Sequence, residues 1–238
     1  MLPGGRNEGT SVTTLWPLFW GMGGELVDDD GEPVFGEGDN RNIMLQILET
    51  VDEAVQTGAL PQRVAGYGGE NDLNEEIATG NTAMFIGGNW QDSYLKEVLG
   101  EEEFANWDVA PVPMLDESAE PATSAGGWAW GIFTEDPDKQ RAAFELIQHM
   151  FTGEEGMAQF STVYGGLPSR ESVFDHELYE GSEFTDLYRD FLENDAQVRP
   201  ASTHYNAISN QMQIAISSVI SGSKTPEEAL NDAWDAVH

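Results

Sequence analysis

Residues 80–90 read Gly80-Asn81-Thr82-Ala83-Met84-Phe85-Ile86-Gly87-Gly88-Asn89-Trp90. The run Thr82–Ile86 is short and dominated by apolar side chains, which predicts a strand of the buried kind. Two glycines and an asparagine break it, and Tyr94, Leu95, Val98 and Leu99 follow at helical spacing. Strand, tight turn and helix in that order is the unit of an α/β fold, and ligands in such folds bind beyond the strand carboxyl ends. Trp90 stands at that position.

The same alternation extends in both directions. Toward the carboxyl end, Trp107–Val112 and Gly126–Phe133 read as strands, and Met114–Ser124 as a polar loop. Asp136-Pro137 is a cap with proline at the first helical position, opening a helix to about Phe151. Helices follow near Glu154–Val163 and Ser182–Leu192. Ile208, Met212, Ala215, Val219 and Ile220 stripe one face of the next helix, which Gly222 stops. Thr225-Pro226-Glu227-Glu228 is a capping box that opens the last helix.

Toward the amino end, a short helix is expected at about Leu73–Ala78. Before it, Met44, Ile47, Leu48, Val51 and Val55 mark the buried stripe of a helix from about Asn40 to Thr57. Glu25–Phe35 reads as a small hairpin with Asp28-Asp29-Asp30-Gly31 at its tip. Residues 1–15 are rich in glycine and read as a loop. Strands alternating with helices give an α/β class.

Composition limits the function. The chain carries 43 Asp and Glu against 10 Lys and Arg, a net charge of −33, and the acids punctuate every segment. Such a surface repels phosphate and anionic lipid, so nucleic acid and membrane surfaces are poor partners. At about 1 M salt the Debye length is roughly 3 Å and this self-repulsion is screened. The acidity therefore reads as adaptation to high salt, of the haloarchaeal kind. Cysteine is absent, which excludes disulfides and thiolate metal sites. The histidines have no ligand spacing, and no resident metal or cofactor is expected. No stretch approaches the roughly 20 apolar residues of a membrane span. Met1–Arg6 lacks the apolar core of a secretion signal, so the chain is either cytoplasmic or shortened at its start.

Hydrolase elbows, Walker loops and zinc-protease motifs are all missing. Counted from Asp28, Asp30 stands at position three and Glu32 at five, but a calcium loop's glycine is missing at six and Asp39 replaces its closing glutamate at twelve, so Asp28-Asp29-Asp30-Gly31 reads as a solvated hairpin tip. With so many carboxylates, a glycosidase pair would occur by chance anywhere, and none is set off by its context. The tryptophans carry more information. An indole covers the flat C–H face of a sugar while edge groups bond its hydroxyls. Trp16, Trp20, Trp90 and Trp128 sit beside glycine or proline at element ends; any one of them, taken singly, would also suit a core. Trp107, Trp130 and Trp234 lie within elements and read as core. Gly126 and Gly127 let backbone N–H groups approach a ligand closely. Arg199, before Pro200, would either fork onto hydroxyls or form a surface ion pair.

An ordered set of segments resembles the extracellular solute-binding proteins of ABC sugar importers, of the maltose- and trehalose-binding type. The set runs through Trp16-Pro17-Leu18, Gly23-Gly24, Gly80-Asn81-Thr82-Ala83-Met84, Gly87-Gly88-Asn89-Trp90 and Val109-Ala110-Pro111-Val112-Pro113. It continues through Gly126-Gly127-Trp128, Ala143-Phe144-Glu145-Leu146-Ile147, Gly166-Leu167-Pro168-Ser169-Arg170, Arg199-Pro200 and Ser221–Leu230.

The resemblance implies a periplasmic-binding-protein-like type II fold, two α/β lobes with sugar in the cleft. Residues 1–112 and 198–238 would form the carboxyl-terminal lobe, and 113–197 the returning part of the amino-terminal lobe, whose first half is missing. It implies that Trp90 and Trp128 stack on sugar rings, that Gly126 and Gly127 offer backbone contacts, that Arg199 bonds hydroxyls, and that Trp16 lies at the cleft edge. It further implies an ABC permease as partner, an extracellular location with a membrane anchor in the whole protein, and no catalysis. The alternatives are a sugar-active enzyme, a receptor of the same fold for another solute such as a polyamine or phosphorylated glycerol, and a gene fragment.

Overall fold

The computed structural model describes residues 1–238. In chain order the regular elements are α1 (Trp16–Gly21), α2 (Gly38–Gln56), α3 (Glu70–Ala78), α4 (Gln91–Leu99), α5 (Glu101–Phe104) and β1 (Thr123–Ala125). They continue with α6 (Pro137–Ile147), α7 (Glu154–Tyr164), α8 (Thr185–Asn194), β2 (Ala196–Val198), α9 (Tyr205–Ile220) and α10 (Pro226–Val237). The chain divides into two compact units. Unit 1 holds Met1–Gly88, Ala110–Ala125 and Phe191–His238; unit 2 holds Asn89–Val109 and Gly126–Asp190. These units depart from the expected lobe boundaries at 89–109, which packs within unit 2, and at 113–125 and 191–197, which pack within unit 1.

Unit 1 is built on helices whose apolar stripes meet. Met44, Ile47, Leu48 and Val51 of α2 share one core with Ile208, Met212, Ile216 and Val219 of α9 and Leu230 of α10. Most of these side chains are fully buried, each contributing about 1.5–3 kcal/mol of transfer free energy. The expected capping box forms: Thr225 Oγ1 accepts from the Glu228 N–H at 3.3 Å, and the Glu228 carboxylate accepts from the Thr225 N–H at 3.0 Å. Arg41 on α2 reaches Glu227 and Asn231 on α10. Trp234 meets Phe35 edge-on at 5.2 Å, as its position within a helix suggested.

The start of the chain departs from the expected loop. Thr10–Leu15 forms a widened π-helical turn that runs into α1. Pro17 lacks an N–H, and its ring conflicts with the carbonyl four residues earlier, so the ladder widens ahead of it. The Trp16 N–H accordingly bonds the Ser11 carbonyl, five residues back. Thr10 and Thr13 fit inside because their hydroxyls donate to the carbonyls of Gly5 and Gly9, each at 2.7 Å.

The hairpin at 25–35 forms with a single antiparallel bridge, Val27 to Pro33. Asp28 Oδ1 accepts from the N–H groups of Asp30 and Glu32, so its carboxylate shapes the turn.

The three strands expected at 82–86, 107–112 and 126–133 do not form. The only sheet pairs β1 and β2 in parallel, with Thr123 opposite Ala196 and Ala125 opposite Val198. Met1 meets the run Thr82–Ile86: its ammonium donates to the Met84 carbonyl and its carbonyl accepts from the Ile86 N–H. Met84 is 68% exposed. A strand exists only when a neighbouring backbone supplies its ladder, and these apolar runs lack one.

In unit 2, α7 buries Met157 and Ala158 against Val173, with Tyr179 alongside. α4 buries Leu95 and the carboxylate-bearing Asp92. Ser182 Oγ and Tyr188 OH both donate to Asp92, each at 2.8 Å, and burial pushes the Asp92 carboxyl above its usual range. Phe104 of α5 meets Phe184 edge-on. The expected cap of α6 is present, with Asp136 accepting from the N–H groups of Asp138 and Lys139. Trp130, expected in the core, is 59% exposed. Its ring stacks on Phe151 at 4.5 Å.

Candidate functional site

The expected ligand-contacting residues fall into two groups. In unit 1 they surround Tyr205, at the first turn of α9. Tyr205, Ser209 and Gln213 recur at every fourth position, a polar row beside the buried apolar stripe of α9. Glu8 faces this row. Its Oε1 accepts from Tyr205 OH at 2.6 Å and from Arg199 Nη1 at 3.2 Å; its Oε2 accepts from Ser209 Oγ at 2.6 Å and Gln213 Nε2 at 3.3 Å. Ser209 Oγ also lies 2.8 Å from Ser11 Oγ. A hydroxyl has one proton, so Ser209 donates to the carboxylate and accepts from Ser11.

Burial, and then the adjacent Glu8 carboxylate, hold the Tyr205 hydroxyl well above the usual phenol range, so it stays a donor. The Arg199 guanidinium also sits over the Tyr205 ring, 6.0 Å from its centroid. Arg199 and Glu8 remain about four-tenths exposed, while Ser209 and Ser11 are buried. The arrangement sets a charged donor and a charged acceptor side by side at the surface on a rigid polar footing. That pair complements a hydroxyl, which both donates and accepts.

Trp16 is a correction to the sequence reading. It is fully buried, not at an edge, and its Nε1–H donates to Tyr205 OH at 2.9 Å. Packing won over its proline-flanked context because the helix around Pro17 turns the indole inward onto α9. Trp16 therefore positions Tyr205 and presents no ring face to solvent. The Glu8, Tyr205, Ser209 and Gln213 cluster was not anticipated. The one local signal for it was the fourfold polar spacing on α9.

In unit 2, Trp128 and Trp90 both meet the end of α7. Trp128 is 85% exposed, and its Nε1–H donates to Tyr164 OH at 3.2 Å. Tyr164 stacks on Phe160, which meets Phe151 edge-on, and Phe151 stacks on Trp130. Trp90 is half-buried at the cap of α4. Gly165 ends α7 with φ +73°, and a Cβ there would lie 2.2 Å from Ser93 Oγ and 4.0 Å from the Trp90 carbonyl. Only glycine lets α7 close this tightly on α4. Gly126 and Gly127 are exposed, and no atom lies within 4 Å of where a Gly127 Cβ would stand.

The structure thus joins Arg199 to Trp16 through Tyr205, and Trp90 to Trp128 through the end of α7. A small hollow in unit 1, lined by Pro17, Leu18, Val112, Pro113, Met114 and Glu120 among others, holds none of these residues. No three metal-ligating side chains converge.

A family model described as bacterial extracellular solute-binding protein matches residues 6–186. The maltose-bound MalE3 of T. maritima superposes with a TM-score of 0.83 at 24% identity, covering 100% of this chain and 59% of that one. An ABC transporter solute-binding protein of Thermotoga lettingae, bound with α-D-tagatose, gives 0.79 at 27% identity, covering 99% and 57%. The GacH receptor of Streptomyces glaucescens, solved unliganded and with acarbose, gives 0.79 at 21%, again covering 99% and 57%. The chain spans less than two thirds of the length of these neighbours. The expected periplasmic-binding-protein-like fold agrees with these superpositions, even though most of the expected strands lack ladders here.

Proposed function

The chain belongs to the bacterial extracellular solute-binding protein family, and from that premise we propose that it forms part of a receptor that captures a mono- or oligosaccharide and delivers it to an ABC permease. The observation that carries the reading is the superposition of the whole chain on receptors solved with maltose and tagatose. Trp128, open to solvent and steadied by Tyr164, is the ring on which a sugar stacks, with Trp90 beside the same helix end. Gly126 and Gly127 leave their backbone accessible. Arg199 and Glu8 together bond a hydroxyl. The division into lobes at 1–112 with 198–238, and 113–197, belongs to this proposal, as do a membrane anchor and the absence of catalysis.

Calorimetric titration of the protein with maltose, glucose and tagatose at high salt tests the reading. Saturable heat with at least one sugar is expected. Trp128→Ala should weaken that affinity about fivefold, equivalent to ~1 kcal/mol. No saturation with any of them, or release of cleaved product from an oligosaccharide, would reject the receptor reading. The net charge of −33 motivates a high-salt habitat. Raising NaCl from about 0.1 M to about 2 M should raise the melting temperature, because the Debye length falls from roughly 10 Å to under 3 Å.

A further inference from the structure

Asp92 is a buried carboxylate to which the proposed site gives no role. An acid in the first turn of a helix ordinarily stands in water and complements the helix dipole. Asp92, in the first turn of α4, is only 8% exposed. Burying such a group is costly unless donors meet it, and here both donors come from the start of α8. Asp92 Oδ2 accepts from Ser182 Oγ and Oδ1 from Tyr188 OH, each at 2.8 Å. Ser182 Oγ in turn accepts from the Phe184 N–H at 3.2 Å. The Phe184 ring meets Phe104 and Tyr188 edge-on. One side chain of α4 thus gathers the start of α8 around itself.

The same turn of α4 carries Trp90. The Asp92 N–H bonds the Asn89 carbonyl at 3.3 Å, closing the turn in which Trp90 lies. Ser93, the next residue, lies against Gly165 at the end of α7, and the neighbouring Tyr164 receives the Trp128 indole N–H. We propose that Asp92 is a positioning residue for Trp90: its carboxylate pins the first turn of α4 to the start of α8 and so fixes where the indole stands. A stacking ring contributes only at the right distance and tilt, and fixing it in advance removes an ordering cost from binding. The inference rests on the sugar reading for the role of the ring, but its first test needs no sugar. Burial pushes the Asp92 carboxyl up, the Ser182 and Tyr188 bonds draw it back, and Glu183 adds a like charge. Of the other charged groups nearby, Lys96, one turn along α4, pairs with Glu101 at 3.8 Å, and Arg189, beside Tyr188, pairs with Glu171 at 3.3 Å.

The indole N–H resonance of Trp90, identified by its loss in Trp90→Phe, tests this in a pH titration in concentrated NaCl. It should move through a step centred above 3.8, the usual carboxyl value, and that step should vanish in Asp92→Asn. Tyr188→Phe removes one donor to the charged form, so its step should lie at higher pH than that of the wild type. This second variant decides the matter if Asp92→Asn does not fold. A Trp90 resonance that does not titrate, a step that survives in Asp92→Asn, or a midpoint unmoved by Tyr188→Phe overturns the proposal. With a sugar that saturates the protein, Asp92→Asn should weaken binding about threefold and have no effect in a Trp90→Ala background. Equal weakening in both backgrounds also overturns it. If no sugar binds, the receptor reading fails, while the titration of the ring still decides the role of Asp92.

Discussion

Unit 1 buries Trp16, Phe19 and Phe35 completely, whereas unit 2 leaves Phe133 almost wholly in solvent. Ten of the fourteen large exposed apolar side chains belong to unit 2, although it is the smaller unit. The two are built from the same materials: amphipathic helices, caps and short apolar runs. They differ in whether the apolar stripes face one another. In unit 1 the stripes of α2, α9 and α10 meet and exclude water. In unit 2 α7 and the Val173 turn do so on a smaller scale, with Leu95 of α4 and Phe104 of α5 buried besides. A helix forms from its own capping and spacing, but its apolar face stabilises the fold only when a second face covers it.

Paired substitutions would break or sharpen this contrast. The largest effect is expected for Trp16→Ala, about 3–5 kcal/mol by urea unfolding, because the indole is fully buried and its loss leaves a cavity. Phe133→Ser should stay within about 0.5 kcal/mol in the same assay; equal costs at the two sites would erase the distinction between the units. Glu8→Ala should cost about 2 kcal/mol, since Tyr205 and Ser209 lose the carboxylate they donate to and Gln213 keeps only Ser209. Recovery in Glu8→Gln should be partial, which thermal unfolding of the two variants would measure. Thr225→Ala should cost about 1 kcal/mol through loss of the cap.

The smallest effect is a dependence on pH within unit 2. Burial raises the Asp92 carboxyl above its usual 3.8. The folded state therefore holds that proton more tightly than the unfolded state does. The resulting stability is fully present below 3.8 and is lost as pH rises through the raised folded value. Relative to Asp92→Asn, the wild type should lose stability across that window when unfolding is followed by tryptophan fluorescence at high salt. A difference between the two that does not change with pH would remove Asp92 as the titrating group.

Much of the helical framework was legible. The stripe of α2, the cap of α6 and the Thr225 box each depend on residues within one turn of each other, and each formed. The strands at 82–86, 107–112 and 126–133 were read from equally good local patterns and did not pair. Their ladders require backbone from distant chain, which no local pattern supplies. The two tryptophans Trp16 and Trp128 show the same limit at the site. Both stand beside glycine or proline, yet one lies under α9 and the other lies open.

By itself the sequence determined the acidic surface, the helices with their caps, and the likeness to sugar receptors, because charge, periodicity and capping act over three or four residues. Tertiary structure alone decided that Glu8 would meet Tyr205, 197 residues away, and which indoles would be buried. Those outcomes depend on how whole faces pack, and a hydrogen bond across that distance exists only once the helices bearing its ends have been brought together.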